Sequence, residues 1–192
     1  MIGAVEPARC IVADPPWSFS DRCPGRGRGA AKHYSTMTTR DLCRLALPPI
    51  ADDALLFLWR VAAMPGDALR VCEAWGFEGK SEIVWVKTSS SSAPLAASSR
   101  LAFGMGHYVR AAHEVCIIAR RGRGAVANRS TRSVFFAPRG AHSAKPECFY
   151  DLVEQLAPGP HVELFARRQR PGWLCLGNEA PGAVTLAVGG SR

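Results

Sequence analysis

The sequence predicts an α/β fold built on a mostly parallel sheet with helices on both faces. Three observations carry this: short apolar runs of strand character, amphipathic helical stripes between them, and their alternation along the chain.

The strand-like runs are "CIVA" (10–13), "ALLFLW" (54–59), "EIVWVK" (82–87), "EVCIIA" (114–119), "SVFFA" (133–137) and "HVELFA" (161–166). Each is continuously apolar rather than alternating, as strands covered on both faces are. Between them, Thr38-Thr39-Arg40-Asp41 caps a helix reaching Leu47, Pro65 starts a helix running through Trp75, and Pro146 opens one that ends before Pro158. Gly76 and Gly159 fall where helix stops are expected. Ala68, Val71, Cys72 and Trp75, and likewise Phe149, Leu152, Val153 and Leu156, keep the spacing of one buried helical face.

Two segments break the alternation, one rich in Gly and Arg (20–33) and one rich in Ser and Ala (88–106). Both read as long mobile loops of a single domain spanning 1–192. Twenty-four Lys and Arg against sixteen Asp and Glu give a formal charge of +8, which favours a polyanionic partner such as nucleic acid. Seven cysteines, odd in number and never spaced C-x-x-C, indicate neither a disulfide framework nor a zinc site and suit a reducing interior. No apolar run approaches a membrane span and no signal-peptide core follows Met1, so a cytoplasmic protein is expected.

In an open α/β sheet, ligands lie beyond the carboxyl ends of the strands, and "CIVA" runs at such an end into Asp14-Pro15-Pro16-Trp17. Neither proline has an N–H, and Pro16 pushes Pro15 toward extended geometry, so their carbonyls are rigid acceptors. Asp14 adds a charged acceptor, and Trp17 a face for stacking a planar ring. Two acceptors beside an aromatic face match the exocyclic amine of a nucleobase. Hydrogen bonds that pull its two hydrogens toward tetrahedral geometry localise the nitrogen lone pair for attack. Read without its neighbours, Asp14 is equally an ordinary cap and Trp17 a core residue.

Together with "HYSTM" (33–37), "LLFLW" (55–59), "AWGFEGKSEIVWVK" (74–87), "GHYVRAAHE" (106–114), "HSAKPECFYDLVEQLAPG" (142–159), "VELFAR" (162–167) and "GWLCLGNE" (172–179), the DPPW tetrapeptide resembles the MT-A-seventy family of adenine N(6)-methyltransferases. The resemblance runs from Ile11 to Glu179. It implies a class I Rossmann-like domain using S-adenosylmethionine, in the permuted order where the catalytic motif precedes the main cofactor-binding segment. It makes Asp14, Pro15, Pro16 and Trp17 the catalytic motif, with Asp14 and the Pro15 carbonyl on the adenine amine, Trp17 against the base, and Asp14 also near the cofactor. Tyr34 and Glu114 would then line the target-base pocket, and Lys145, Glu163, Arg167, Asn178 and Glu179 would bind cofactor.

Two departures stand out. Gln169 and Arg170 replace the His-Asn pair of eukaryotic members, which leaves Arg168 and Arg170 for phosphate. Only thirteen residues precede Asp14, so a cofactor contact from an upstream segment is either missing or supplied by Glu6 to Cys10.

Arg22, Arg26, Arg28 and Lys32 follow DPPW with glycine spacing that lets backbone approach phosphates, and are expected to contact nucleic acid. Arg120, Arg121, Arg123, Arg129, Arg132 and Arg139 join this basic rim if their loops flank the same strand ends. His113-Glu114 is no metal motif, because Ile117 occupies the next helical position, and no metal is expected. The resulting expectation is methylation of adenine N(6), in DNA rather than RNA, with a homodimer or protein partner helping to hold substrate and no membrane association. The alternatives are RNA methylation, a catalytically silent nucleic-acid-binding subunit, or cytosine amino methylation.

Overall fold

The apolar run that opens the chain becomes the middle of the sheet. In the computed structural model, which describes residues 6–18, 36–89, 101–102, 104, 108–124, 126–140 and 144–177, this run is β1 (Ala8–Ala13). It is followed by α1 (Thr39–Cys43), β2 (Ile50–Arg60), α2 (Pro65–Ala74), β3 (Glu78–Thr88), β4 (His113–Arg121), β5 (Val134–Pro138), α3 (Glu147–Leu156), β6 (His161–Leu164) and β7 (Trp173–Leu176).

The seven strands form one sheet in the order β5-β3-β4-β2-β1-β6-β7. β1 pairs in parallel with β2 and β6, as do β6 with β7 and β3 with β5. β4 alone runs antiparallel, to both β2 and β3. The mostly parallel α/β architecture is therefore the expected Rossmann-like one, with the DPPW strand preceding β6 in the chain and lying beside it. The reversed β4 was not expected, because a continuous apolar run carries no direction.

Alternate residues of β1 serve the two faces. Ile11 and Ala13 pack with Leu42, Val71, Cys72 and Trp75 of the α1–α2 layer, while Cys10 and Val12 pack with Phe149, Tyr150 and Val153 of α3. Both helical stripes are thus core. Phe149 is fully buried against Phe57, Trp59 and Tyr150, so truncating it to Ala costs about 3–5 kcal/mol.

Local chemistry explains the boundaries. Thr38 caps α1 by accepting the Asp41 N–H, but the helix stops at Cys43 rather than Leu47, since Leu47 precedes Pro48 and is steered out of helical geometry. Pro65 stands at the first turn of α2, and Gly76 ends it with φ of 80°. Pro146 is the residue before α3, and that helix ends because Ala157 turns extended, two residues before Gly159. β6 stops at Leu164 rather than Ala166 because Phe165 takes a left-handed φ of 63°. The short β7 has no counterpart among the hydropathy runs. All six described cysteines are free, and burial pushes the Cys72 thiol up to about 12, that of an unreactive core residue. No described helix is long and apolar enough to cross a membrane.

Candidate active site

The chain leaves β1 toward β2 on one side and β6 toward β7 on the other, so the adjacent carboxyl ends of β1 and β6 form a topological switch point. In open α/β sheets ligands bind in the crevice at that point. Asp14 follows β1 there and Phe165 follows β6. The reversed β4 contributes its amino end to the same edge, which brings Glu114 close to residues from the ends of β1 and β3.

Four charged side chains meet at this edge. Lys145 Nζ lies 2.6 Å from Asp14 Oδ2 and 3.3 Å from Glu114 Oε2, and Lys87 Nζ lies 2.5 Å from Glu114 Oε1. The Lys145 side chain is 8% exposed, and its ammonium stands 5.0 Å from the centroid of the Trp59 ring. Burial pulls the Lys145 ammonium down, but Asp14 and Glu114 outweigh it and hold it above the usual lysine range. Burial likewise pushes the Glu114 carboxyl up, and Lys145 and Lys87 together hold it below its ordinary value. Both shifts favour the charged forms of Lys145 and Glu114, the pair at the centre of the cluster.

In the DPPW segment, the Trp17 N–H donates to the Pro15 carbonyl (2.8 Å), and the Met37 N–H donates to the Pro16 carbonyl (2.8 Å). Each carbonyl keeps one lone pair for a further donor. Trp17 is 5% exposed and packs in the core, with its indole N–H donating 2.9 Å to the Trp59 carbonyl. The stacking face expected of Trp17 is thus buried. The indole ties DPPW to β2, because its N–H finds its partner inside the protein.

On the β6 side, Glu163 is the one buried charged residue among those described, 7% exposed. Its Oε1 accepts the Tyr150 hydroxyl at 2.6 Å, while Oε2 has no partner. Burial pushes its carboxyl up, and the Tyr150 hydrogen bond with Arg170 and Arg168 offsets this only partly. An orphaned buried acceptor is costly unless a ligand hydroxyl completes it. Gly177, at the end of β7, packs so closely that a Cβ would stand 2.5 Å from the Ala166 carbonyl oxygen, leaving backbone bare between the ends of β6 and β7. An acceptor awaiting a donor, bare backbone beside it and a nearby ammonium suit S-adenosylmethionine, which has ribose hydroxyls and a carboxylate.

Other expected residues fall elsewhere. Arg168 and Arg170 do not stand free for phosphate. Both pair with Glu147 at the start of α3, Arg170 at 2.6 Å with its guanidinium 3.7 Å from the Tyr150 ring centroid. Arg167 follows Ala166 in the turn after β6. Glu6 to Cys10 cannot supply an upstream cofactor contact, because they lie at the amino end of β1, tied by Arg9 and Cys10 N–H groups to the Pro160 carbonyl. Arg120 and Arg121 sit opposite Leu55 and Ala54, at the amino ends of the parallel strands, since β4 runs backward. They, Arg123, and Arg129 and Arg132 before β5 therefore do not rim the mouth; only Arg139, after β5, shares its edge. Tyr34, Arg22, Arg26, Arg28, Lys32, Asn178 and Glu179 lie outside the described residues, as does most of 88–106. Trp17 and Met37, which flank the first of these segments, are bridged at the mouth. Among the described residues no group of three or more His, Cys, Asp or Glu is placed to hold a metal.

Sequence reading missed Lys87, which it took as the end of a strand. The available signal was its position two residues after Trp85, on the same strand face.

Comparison with known proteins gives a consistent picture. The chain is 32% identical over 181 residues to human N(6)-adenosine-methyltransferase catalytic subunit METTL3, covering 92% of this chain and 29% of that protein. It is 31% identical over 179 residues to the N(6)-adenosine-methyltransferase MT-A70-like protein of Drosophila melanogaster, covering 90% and 27%. It is 29% identical over 195 residues to the Type II methyltransferase M.MunI of Mycoplasma sp, covering 89% and 77%. The chain thus spans under a third of the length of the two animal relatives. The MT-A70 sequence profile matches residues 8–179, nearly the whole chain, and the protein belongs to the MT-A70 family.

Proposed function

We propose that this chain is one methyltransferase domain that moves a methyl group from S-adenosylmethionine to the exocyclic N(6) amine of adenine in nucleic acid, DNA in preference to RNA. The observation that carries this reading is Asp14, held by Lys145 beside Glu114 at the sheet's switch point. Relatives named N(6)-adenosine-methyltransferases supply the base and position, and the relative named a Type II methyltransferase favours DNA as the polymer.

When bound, S-adenosylmethionine supplies an electrophilic methyl group. Lys145 would face its carboxylate, and the unpartnered Glu163 Oε2 its ribose hydroxyls. Asp14 Oδ2 and the spare lone pair of the Pro15 carbonyl accept the two amine hydrogens, which draws the nitrogen toward tetrahedral geometry. As the nitrogen gives up one hydrogen, Asp14 and Glu114 are the carboxylates at hand to take that proton. Trp17 acts from the core, holding DPPW to Trp59. The formal charge of +8 favours a nucleic-acid substrate, and Arg22, Arg26, Arg28 and Lys32, with Tyr34 nearer the base, are our candidates for its contacts.

The test offers labelled S-adenosylmethionine with duplex DNA, single-stranded DNA and RNA in parallel, followed by mass identification of the modified nucleoside. Methylated adenine, most of it in DNA, is expected. Cofactor binding with methylated cytosine instead would overturn the assignment of the base, and no cofactor binding would favour the silent-subunit reading.

A further inference from the structure

Lys87 is fixed more firmly than a residue at the end of a strand needs to be. Its N–H donates to the Ala112 carbonyl and its carbonyl accepts the Ala102 N–H, each at 2.8 Å, so its backbone is held from both sides. Its ammonium lies 5.1 Å from the Trp85 ring centroid and 2.5 Å from Glu114 Oε1 with the side chain 19% exposed. Lys145, by contrast, divides its hydrogens between Asp14 Oδ2 and Glu114 Oε2.

Asp14 Oδ2 is one of the two acceptors assigned above to the amine and Glu114 Oε2 a carboxylate oxygen at hand for its departing proton, and one ammonium engages both. An amine therefore gains Glu114 Oε2 only when Lys145 lets go. At that moment Glu114 would lose its charge partner and swing, unless something else held it. Lys87 holds the other oxygen. The groups facing Glu114 are Lys87 from β3, Lys145 from the segment before α3, and Asp14 at the end of β1 through Lys145. Arg60 of β2 is committed to Glu82 at 3.1 Å, and Cys116 is buried two residues along β4.

We propose that Lys87 is a positioning residue of this site: by clamping Glu114 Oε1 it keeps the carboxylate charged and still, so that only Oε2 changes hands between Lys145 and the ring-bound amine of the substrate. This rests on the reading of the site as an amine-methylating one, but the clamp itself is testable without it.

The experiment compares Lys87→Met, Lys87→Arg, Glu114→Gln and the Lys87→Met/Glu114→Gln double variant. Lys87→Met should lower kcat about tenfold to a hundredfold with cofactor Kd unchanged. Lys87→Arg should recover most of the loss, and Lys87→Met should add less than about twofold in the Glu114→Gln background, since coupled residues are not additive. Independently of activity, carboxyl NMR of the ligand-free protein should show the Glu114 titration midpoint rising in Lys87→Met, because a cation beside the carboxylate is gone, and staying put in Lys80→Met. Lys87→Gln carries the same titration if the methionine variant does not fold. An unmoved Glu114 midpoint, or full multiplication of the two kinetic losses, overturns the proposal. If wild type methylates no nucleic acid, the function reading fails while the titration still decides the clamp.

Discussion

The two ends of the sheet hold their cations differently. At the amino pole, the Arg121 guanidinium donates to the Trp75 carbonyl (2.5 Å) and the Gly76 carbonyl (3.4 Å), and lies 4.9 Å from the Phe77 ring centroid. It closes the end of α2, where free carbonyls attract a cation. Exposed Glu78 nearby pairs with Lys80, which holds its carboxyl below the usual range. Every group there finishes a piece of backbone or meets solvent. At the carboxyl pole, Lys145 is shared by two carboxylates, and Glu163 Oε2 has no partner at all. Charge that completes a helix end is structure, whereas buried charge left shared or unmatched has capacity for a ligand.

The sharpest break in this contrast is Asp14→Asn. It should lower methyl transfer by on the order of 10²–10³-fold, by removing a charged acceptor at the reacting nitrogen, while thermal unfolding stays near wild type. Initial rates of labelled methyl transfer, with calorimetric Tm as control, check it.

Next is Lys145→Met, which strands Asp14 and leaves Glu114 to Lys87 alone. Fully buried pairs broken in this way lose 3–5 kcal/mol, but Asp14 and Glu114 side chains are 25% and 30% exposed, so about 2 kcal/mol is expected in urea unfolding. The sign follows from both partners. The raised Lys145 contributes below the ordinary lysine range and loses its contribution as pH rises above it. The lowered Glu114 contributes above the ordinary carboxylate range and loses it as pH falls. The deficit of the variant should therefore be largest between about pH 5 and 10 and shrink toward acid.

Glu163→Gln sharpens the comparison by separating binding from stability. The raised carboxyl favours its protonated form when folded, so wild type loses stability as pH rises through the folded midpoint. The variant should match or exceed wild-type Tm by a few degrees at neutral pH and converge with it in acid, while binding S-adenosylmethionine more weakly in calorimetry. Smallest is Arg121→Ala at the other pole, where about 1 kcal/mol of stability should go and methyl transfer should not change.

What the sequence discloses follows from what each feature depends on. The helical stripes and β1 are local patterns, and they lie in the core as read. Thr38 and Pro65 act locally too, and they start their helices. The direction of β4 depends on which strands it joins, and its reversal moved a row of arginines from the expected rim to the far pole. Asp14 was conspicuous because an acid and two prolines interrupt a strand. Its link to Lys145 spans 131 residues, and no local pattern joins the two; the resemblance offered Lys145 only as a cofactor contact. Lys87 and Tyr150 carry no unusual local chemistry, so their engagement with Glu114 and Glu163 needed three dimensions. β7, four residues long, is too short for hydropathy to distinguish from loop.

Because β4 is reversed, β3 ends and β4 begins at the same pole, and the chain between Thr88 and His113 leaves and re-enters the sheet beside Lys87 and Glu114. Gly104 packs against Ala111 with no room for a Cβ, pinching this excursion at its neck. Bulk added at Gly104 would have to part it from Ala111, so that position takes no side chain without moving the backbone that leads into β4.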